Sequence, residues 1–565
     1  MTKEEKIIVY QVFTRLFGNN KTKNTHNGNI QENGCGKFAD FTGKALKEIK
    51  ALGATHIWYT GVIEHATQTQ YTEYDIRADH PAVVKGKAGS PYAIKDYYDV
   101  DPDLATKVPN RMHEFENLVT RTHRAGLKMI IDFVPNHVAR EYHSDSKPEG
   151  VLDLGEGDDT SVSFSPNNNF YYFPNEPLHD GNIDLHHNAP EAYVEMPAKA
   201  TGNDKFDAWP GINDWYETIK LNYGVDYCNG RSTHFNPIPN TWTKMRDILL
   251  FWASKNIDGF RCDMAEMVPA EFWGWVIPQV KEAYPEIIFI AEVYNPNEYR
   301  NYLFNGKFDY LYDKVGLYDT LRGLTCGNGS ATAITHHWQS LYDIEKRMLN
   351  FLENHDEQRI ASDFFAGNAE KAIPSMILTA CMNTNPVMIY FGQELGERGM
   401  DEEGFSGRDG RTTIFDYWGV DTIHRWRNSG KFDGKKLTDE EKKLQRFYKT
   451  LLNLCNSESA IREGEFFDLS YANLQGTDFN EHKQFAFFRK HHKDLLLIVV
   501  NFDENSRTIG LNIPEHAFDY LQVPVKDSYQ VKELLTGKKL ELSMAPNQLT
   551  SIELEGRSGV ILKIK

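Results

Sequence analysis

Four apolar runs in this chain end in carboxylates, imidazoles and a guanidinium. One run carries Asp132 and leads to Asn136 and His137. A second reads Gly259-Phe260-Arg261-Cys262-Asp263, a third ends at Glu292, and a fourth continues through Glu353 and Asn354 to His355 and Asp356. A lone carboxylate at a strand end is as often a structural cap as a reactive group. Four such ends converging are harder to explain that way. Two carboxylates flanking a glycosidic bond can cleave it: one attacks the anomeric carbon, and the other protonates the leaving oxygen and then activates water. Asp263 and Glu292 suit these roles if neighbouring strands bring them to the roughly 5–5.5 Å of a retaining pair. Arg261 lies two residues before Asp263, on the same face of an extended strand, where its charge favours an ionised nucleophile. Glu292 needs a raised pKa, and Asp356 is a third carboxylate able to grip sugar hydroxyls. His137 and His355 can donate hydrogen bonds to such hydroxyls.

Positioning these groups requires strands that share one end. Ile7 to Val12, His56 to Thr60, Lys128 to Val134, Asp258 to Asp263, Ile287 to Val293, Tyr310 to Leu317, Met348 to Glu353 and Pro386 to Phe391 read as strands. Lys44 to Leu52, Asn110 to Arg124 and Thr243 to Lys255 carry helical apolar stripes between them. Eight strands with helices between most pairs predict an α/β fold, a (β/α)8 barrel over 1–138 and 238–460, whose active site lies at the C-terminal strand ends. Residues 139–237 are rich in Asn, Asp, Gly, Pro and His and lose the period. A stretch of that length reads as an inserted subdomain after the third strand. From 461 to 565 the pattern turns to β: Gln484 to Lys490, Leu495 to Phe502, Thr508 to Ile513 and Gly559 to Ile564 predict an antiparallel β-sandwich.

Composition narrows the partners. A net charge of −18 opposes nucleic acid and anionic membrane surfaces but is compatible with a neutral sugar. The 6 cysteines form no CxxC pair and read as reduced core thiols. Met-Thr-Lys-Glu-Glu-Lys leads straight into a strand with no apolar h-region, so the expected location is the cytoplasm, with a processed secreted or periplasmic form as the alternative. No run is long enough to span a bilayer. Oligomeric state is not legible in the chain.

With these residues in view, the chain resembles the α-amylase family, glycoside hydrolase family 13. The segments DFVPNH at 132–137, GFRCD at 259–263, AEV at 291–293 and ENHD at 353–356 are similar to its four best-known motifs, in order. The resemblance spans barrel, insertion (domain B) and sandwich. It implies a retaining mechanism on α-glucosidic bonds of starch, glycogen or maltooligosaccharides. Asp263 is implied as nucleophile, Glu292 as acid/base and Asp356 as transition-state stabiliser, with Arg261, His137 and His355 binding substrate. Tyr92, in Ser90-Pro91-Tyr92, takes the place of a tyrosine that stacks on the sugar. Asn136 matches a ligand of the family's shared calcium site. No organic cofactor is implied, and calcium is a candidate ion.

Thr218-Ile219-Lys220-Leu221-Asn222 resembles a domain B motif in its neopullulanase and maltogenic amylase form, where Lys220 is expected to reach sugar hydroxyls. Glu266 and Met267 depart from the Lys-His common in the family, which weakens the shared calcium site and places Glu266 at the leaving-group side. Alternatives to an α-glucan hydrolase are a neopullulanase-like or maltogenic enzyme, a glucan transferase or isomerase on the same scaffold, and a non-catalytic barrel. The three carboxylates oppose the last.

Overall fold

Apolar runs too continuous to alternate form parallel strands covered on both faces. In the computed structural model, which describes residues 5–475 and 478–565, eight of them close into a barrel. They are Ile8–Phe13 (β1), His56–Thr60 (β2), Lys128–Phe133 (β3), Gly259–Cys262 (β4), Ile288–Ala291 (β5), Tyr310–Tyr312 (β6), Met348–Phe351 (β7) and Val387–Tyr390 (β8). Each lies parallel to the next, and β1 closes on β8 with Ile8 opposite Val387. Arg261 on β4 stands opposite Asp132 on β3. A Cβ on Gly259 would meet Ile288 Cγ1 at 2.7 Å, so the start of β4 has no room for a side chain.

The helices bury the stripes their spacing predicts. Asn240–Ser254 buries Trp242, Met245, Ile248, Leu249 and Trp252, and the Trp252 indole donates to Tyr97 O at 2.7 Å. Removing such a side chain from water stabilises by about 1.5–3 kcal/mol. Thr42 caps Gly43–Ala51 by accepting from the Ala45 amide.

One strand is shorter than its sequence reads. Tyr310 to Leu317 was expected to be extended, but the strand stops at Tyr312 and Lys314–Tyr318 coils into a wide turn. The Asp313 side chain accepts from the Leu317 amide at 3.1 Å and closes that turn locally. A strand pair not anticipated from sequence follows β2: Ile63–His65 runs antiparallel to Ile94–Val100.

Between β3 and β4 the chain makes only short pairings, among them His137–Ala139 with Thr218–Lys220. Beyond the barrel, a six-stranded antiparallel sheet is joined by a two-stranded layer, Arg507–Asn512 with Leu549–Leu554. Strand Asp494–Asn501 is buried on both faces. Leu496, Ile498 and Val500 belong to the barrel core, and Leu495, Leu497 and Val499 to the core shared with the second layer. Arg489 pins this sheet to the barrel by donating to Met382 O, Ala460 O, Ile461 O and Gly464 O. No helix among the described residues is long and apolar enough to cross a membrane.

Candidate active site

Alternation along β4 sends Arg261 and, one residue past its end, Asp263 to the same side, while buried Cys262 faces away. Arg261 Nη1 lies 2.7 Å from Asp263 Oδ1, and its Nη2 lies 2.7 Å from Glu292 Oε2. One guanidinium therefore grips carboxylates from two adjacent strands. It also stacks over Trp58 and Tyr92, at 5.0 and 5.5 Å to the ring centres. Met264 turns the chain with a left-handed φ of 42°, and its amide donates to Glu292 Oε2 at 2.8 Å. Such backbone is held only where its surroundings fix it, commonly at functional sites. Tyr294 donates its phenol to the other oxygen, Glu292 Oε1, at 2.5 Å.

From β7, Asn354 accepts the amides of Asp356 and Glu357, both at 2.9 Å, and so shapes the turn that presents Asp356. His355 Nε2 lies 3.0 Å from Asp356 Oδ2, while the Gln11 amide contacts His355 Nδ1 at 2.9 Å. Tyr92 stacks on the His355 ring at 5.1 Å.

Burial sets the protonation. It raises Glu292 above the ordinary carboxylate range; Arg261 opposes this and Asp263 adds to it. Asp356 is raised further, by burial and then by repulsion from Glu292. Asp263 is also raised by burial, against the pull of Arg261. The guanidinium was expected to hold Asp263 low, but enclosure of the carboxylate outweighs its ion pair. A trio of acids around one cation favours a shared proton, which a general acid requires. Burial lowers His137 to about 4 and takes His355 well below its usual value, with Arg261 adding to the effect at His355. Both rings are neutral at pH 7.

Tyr92, His137, Asp263, Glu292 and Asp356 come together around a cavity of about 570 Å³. Arg261 and His355 stand behind it, each 1% exposed. Lys220 and Asn136 do not join this wall. Lys220 is buried, donates to Asn136 Oδ1 at 2.6 Å and pairs with Asp204 Oδ1 at 2.6 Å. Expected to touch sugar, it instead serves the joint between barrel and insertion. The Asn136 oxygen expected to hold calcium faces an ammonium, so these residues do not fit a divalent ion beside it. Glu266 is not among the residues lining this cavity and accepts from the Asn295 amide at 3.0 Å.

Sequence reasoning missed Tyr294, Trp215 and Gln11. Tyr294 had a signal, since it lies two residues after Glu292, and so did Gln11, a polar residue in an apolar strand. Trp215, which lines the cavity and packs on His137 at 5.4 Å, lies in the stretch where periodicity fails.

Residues 11–450 match the family description "Alpha amylase, catalytic domain". The chain is 21% identical over 516 residues to "Alpha-amylase 2" of Dictyoglomus thermophilum, covering 90% of this chain and 71% of that protein. It is 20% identical over 525 residues to "Neopullulanase 2" of Thermoactinomyces vulgaris, covering 90% and 72%. Among solved structures, the α-amylase of Geobacillus thermoleovorans complexed with acarbose superposes with a TM-score of 0.63 at 19% identity, covering 100% of this chain and 99% of the other.

Proposed function

The chain belongs to the α-amylase family, and we propose that it is a retaining α-glucan hydrolase acting on starch, glycogen or maltooligosaccharides. Asp263 attacks the anomeric carbon as Glu292 gives its proton to the leaving glycosidic oxygen, forming a glycosyl ester on Asp263 with inverted configuration. The Glu292 carboxylate then takes a proton from water, whose oxygen attacks the same carbon and releases Asp263, inverting it a second time. Asp356 faces the charge that develops on the sugar ring, and Tyr92 offers a flat apolar surface to it.

The observation that carries this reading is the single Arg261 guanidinium between Asp263 and Glu292. One guanidinium in contact with both carboxylates keeps them beside the same bond, as a nucleophile and an acid/base acting on one anomeric carbon require. The test is to trap the ester with a fluorinated α-glucosyl fluoride and digest the protein. A glucosyl adduct on the peptide containing Asp263 supports the assignment, and an adduct elsewhere refutes it.

Transfer to a sugar acceptor is the second reading. It is favoured by Tyr294 beside Glu292 and by Trp215 in the cavity wall, because aromatic faces hold sugar rings where water would otherwise attack. Product chromatography with and without added maltose separates the two: longer oligosaccharides mark transfer.

A further inference from the structure

A second group of acids lies outside the cavity. Glu64 on Ile63–His65, Asp96 and Asp99 on Ile94–Val100, and Asp145 beyond the His137–Ala139 strand each place an oxygen so that all four lie within 4.8 Å of one another. Glu64 and Asp96 are register partners in the strand pair, with irregular pairing on both sides of Glu64. The first three are buried, and Asp145 is exposed and opens the group to solvent.

Most of these oxygens have donors. Asp96 accepts from Ser144 Oγ at 2.6 Å and from the amides of Tyr98, Asp145 and Ser146. Asp99 accepts from Ser146 Oγ and pairs with Arg111 at 2.5 Å, and Arg111 also lies 3.7 Å from Asp145. Glu64 Oε2 differs: it is buried with no hydrogen-bond partner, on a residue 3% exposed. Lys95, next in sequence to Asp96, is engaged by Asp79 at 3.1 Å. Four carboxylates thus face one guanidinium, and one buried oxygen is left unsatisfied.

An ionised buried carboxylate without a donor is costly, and the molecule can relieve it with a proton or a cation. Calcium takes oxygen ligands at about 2.3–2.6 Å, which puts them within ~5 Å of one another. The spread of the group fits that limit. We propose that Glu64, Asp96, Asp99 and Asp145 bind a divalent cation of calcium type, with Glu64 as the ligand that has no other partner. The ion fastens the strand that follows Tyr92 to the chain that follows His137, and so braces both walls of the cavity. This place is separate from Asn136, where Lys220 already supplies the positive charge.

The test is calcium titration of the chelated full-length protein, followed by calorimetry and thermal unfolding. The wild type is expected to bind one ion here, with a dissociation constant between about 1 µM and 1 mM, and to melt higher with calcium. Glu64→Gln removes the unpaired charge while keeping the shape. It should fold and lose affinity at least about tenfold. Asp145→Asn, at the exposed member, checks the same loss where misfolding is of least concern. No heat and no change in melting for wild type at about 10 mM calcium would overturn the proposal. Binding by both variants as tight as wild type would overturn it too, since the ion would then sit elsewhere.

Discussion

Lys220 Nζ lies 2.6 Å from Asn136 Oδ1, one residue before His137, which is the strand partner of Lys220 itself. The cation that locks the insertion to the end of β3 is therefore a side chain. Replacing it with Met leaves Asn136 and Asp204 without their donor and is expected to cost about 2 kcal/mol. Thermal unfolding of Lys220→Met should show a lower midpoint, and kcat should fall as His137 loosens. A variant as stable and active as wild type would show that the joint does not depend on this ammonium.

The phenol of Tyr294 favours the ionised form of Glu292, lowering a carboxyl that burial has raised. General-acid activity is lost as pH rises through the pKa of Glu292. Tyr294→Phe removes the donor, so that pKa rises and the alkaline limb of kcat/KM should move to higher pH, with kcat down about tenfold. An alkaline limb that stays in place or moves to lower pH would refute the link.

Glu394 is fully buried against the Tyr10 hydroxyl at 2.8 Å, and burial raises it to about 7. A carboxyl raised in the folded state stabilises most below its unfolded value of about 4.5, and that contribution is lost as pH climbs to about 7. Glu394→Gln should therefore gain about 3 kcal/mol relative to wild type at pH 8 and little at pH 4.5. Denaturant unfolding at the two pH values measures the difference. An equal effect at both would mean that Glu394 does not titrate with folding.

Asp263→Asn keeps the volume and removes the attacking oxygen. Several powers of ten in kcat should disappear while circular dichroism and melting stay near wild type. Near-normal turnover by the folded variant would remove Asp263 from its role.

The barrel was legible because its strands are buried on both faces and punctuated by helical stripes, and the acids at their ends stand out against Val, Ile and Phe. What escaped was set by tertiary contacts. Lys220 reads as a side chain reaching for sugar until Asp204 and Asn136 are seen around it. The end of β6 depends on one side-chain turn at Asp313, which apolar periodicity cannot register. Glu64 and Asp96 lie 32 positions apart in sequence, and only the strand pair makes them neighbours. Trp215 lies in the insertion, where Asn, Asp and Gly build the backbone by local hydrogen bonds and leave no period to read.

A double displacement through Asp263 is tested most directly by the anomeric configuration of the first product. Proton NMR of maltoheptaose hydrolysis, recorded before mutarotation, should show the α-anomer at the newly formed reducing end. A first-formed β-anomer would mean a single displacement by water and would contradict the roles given to Asp263 and Glu292.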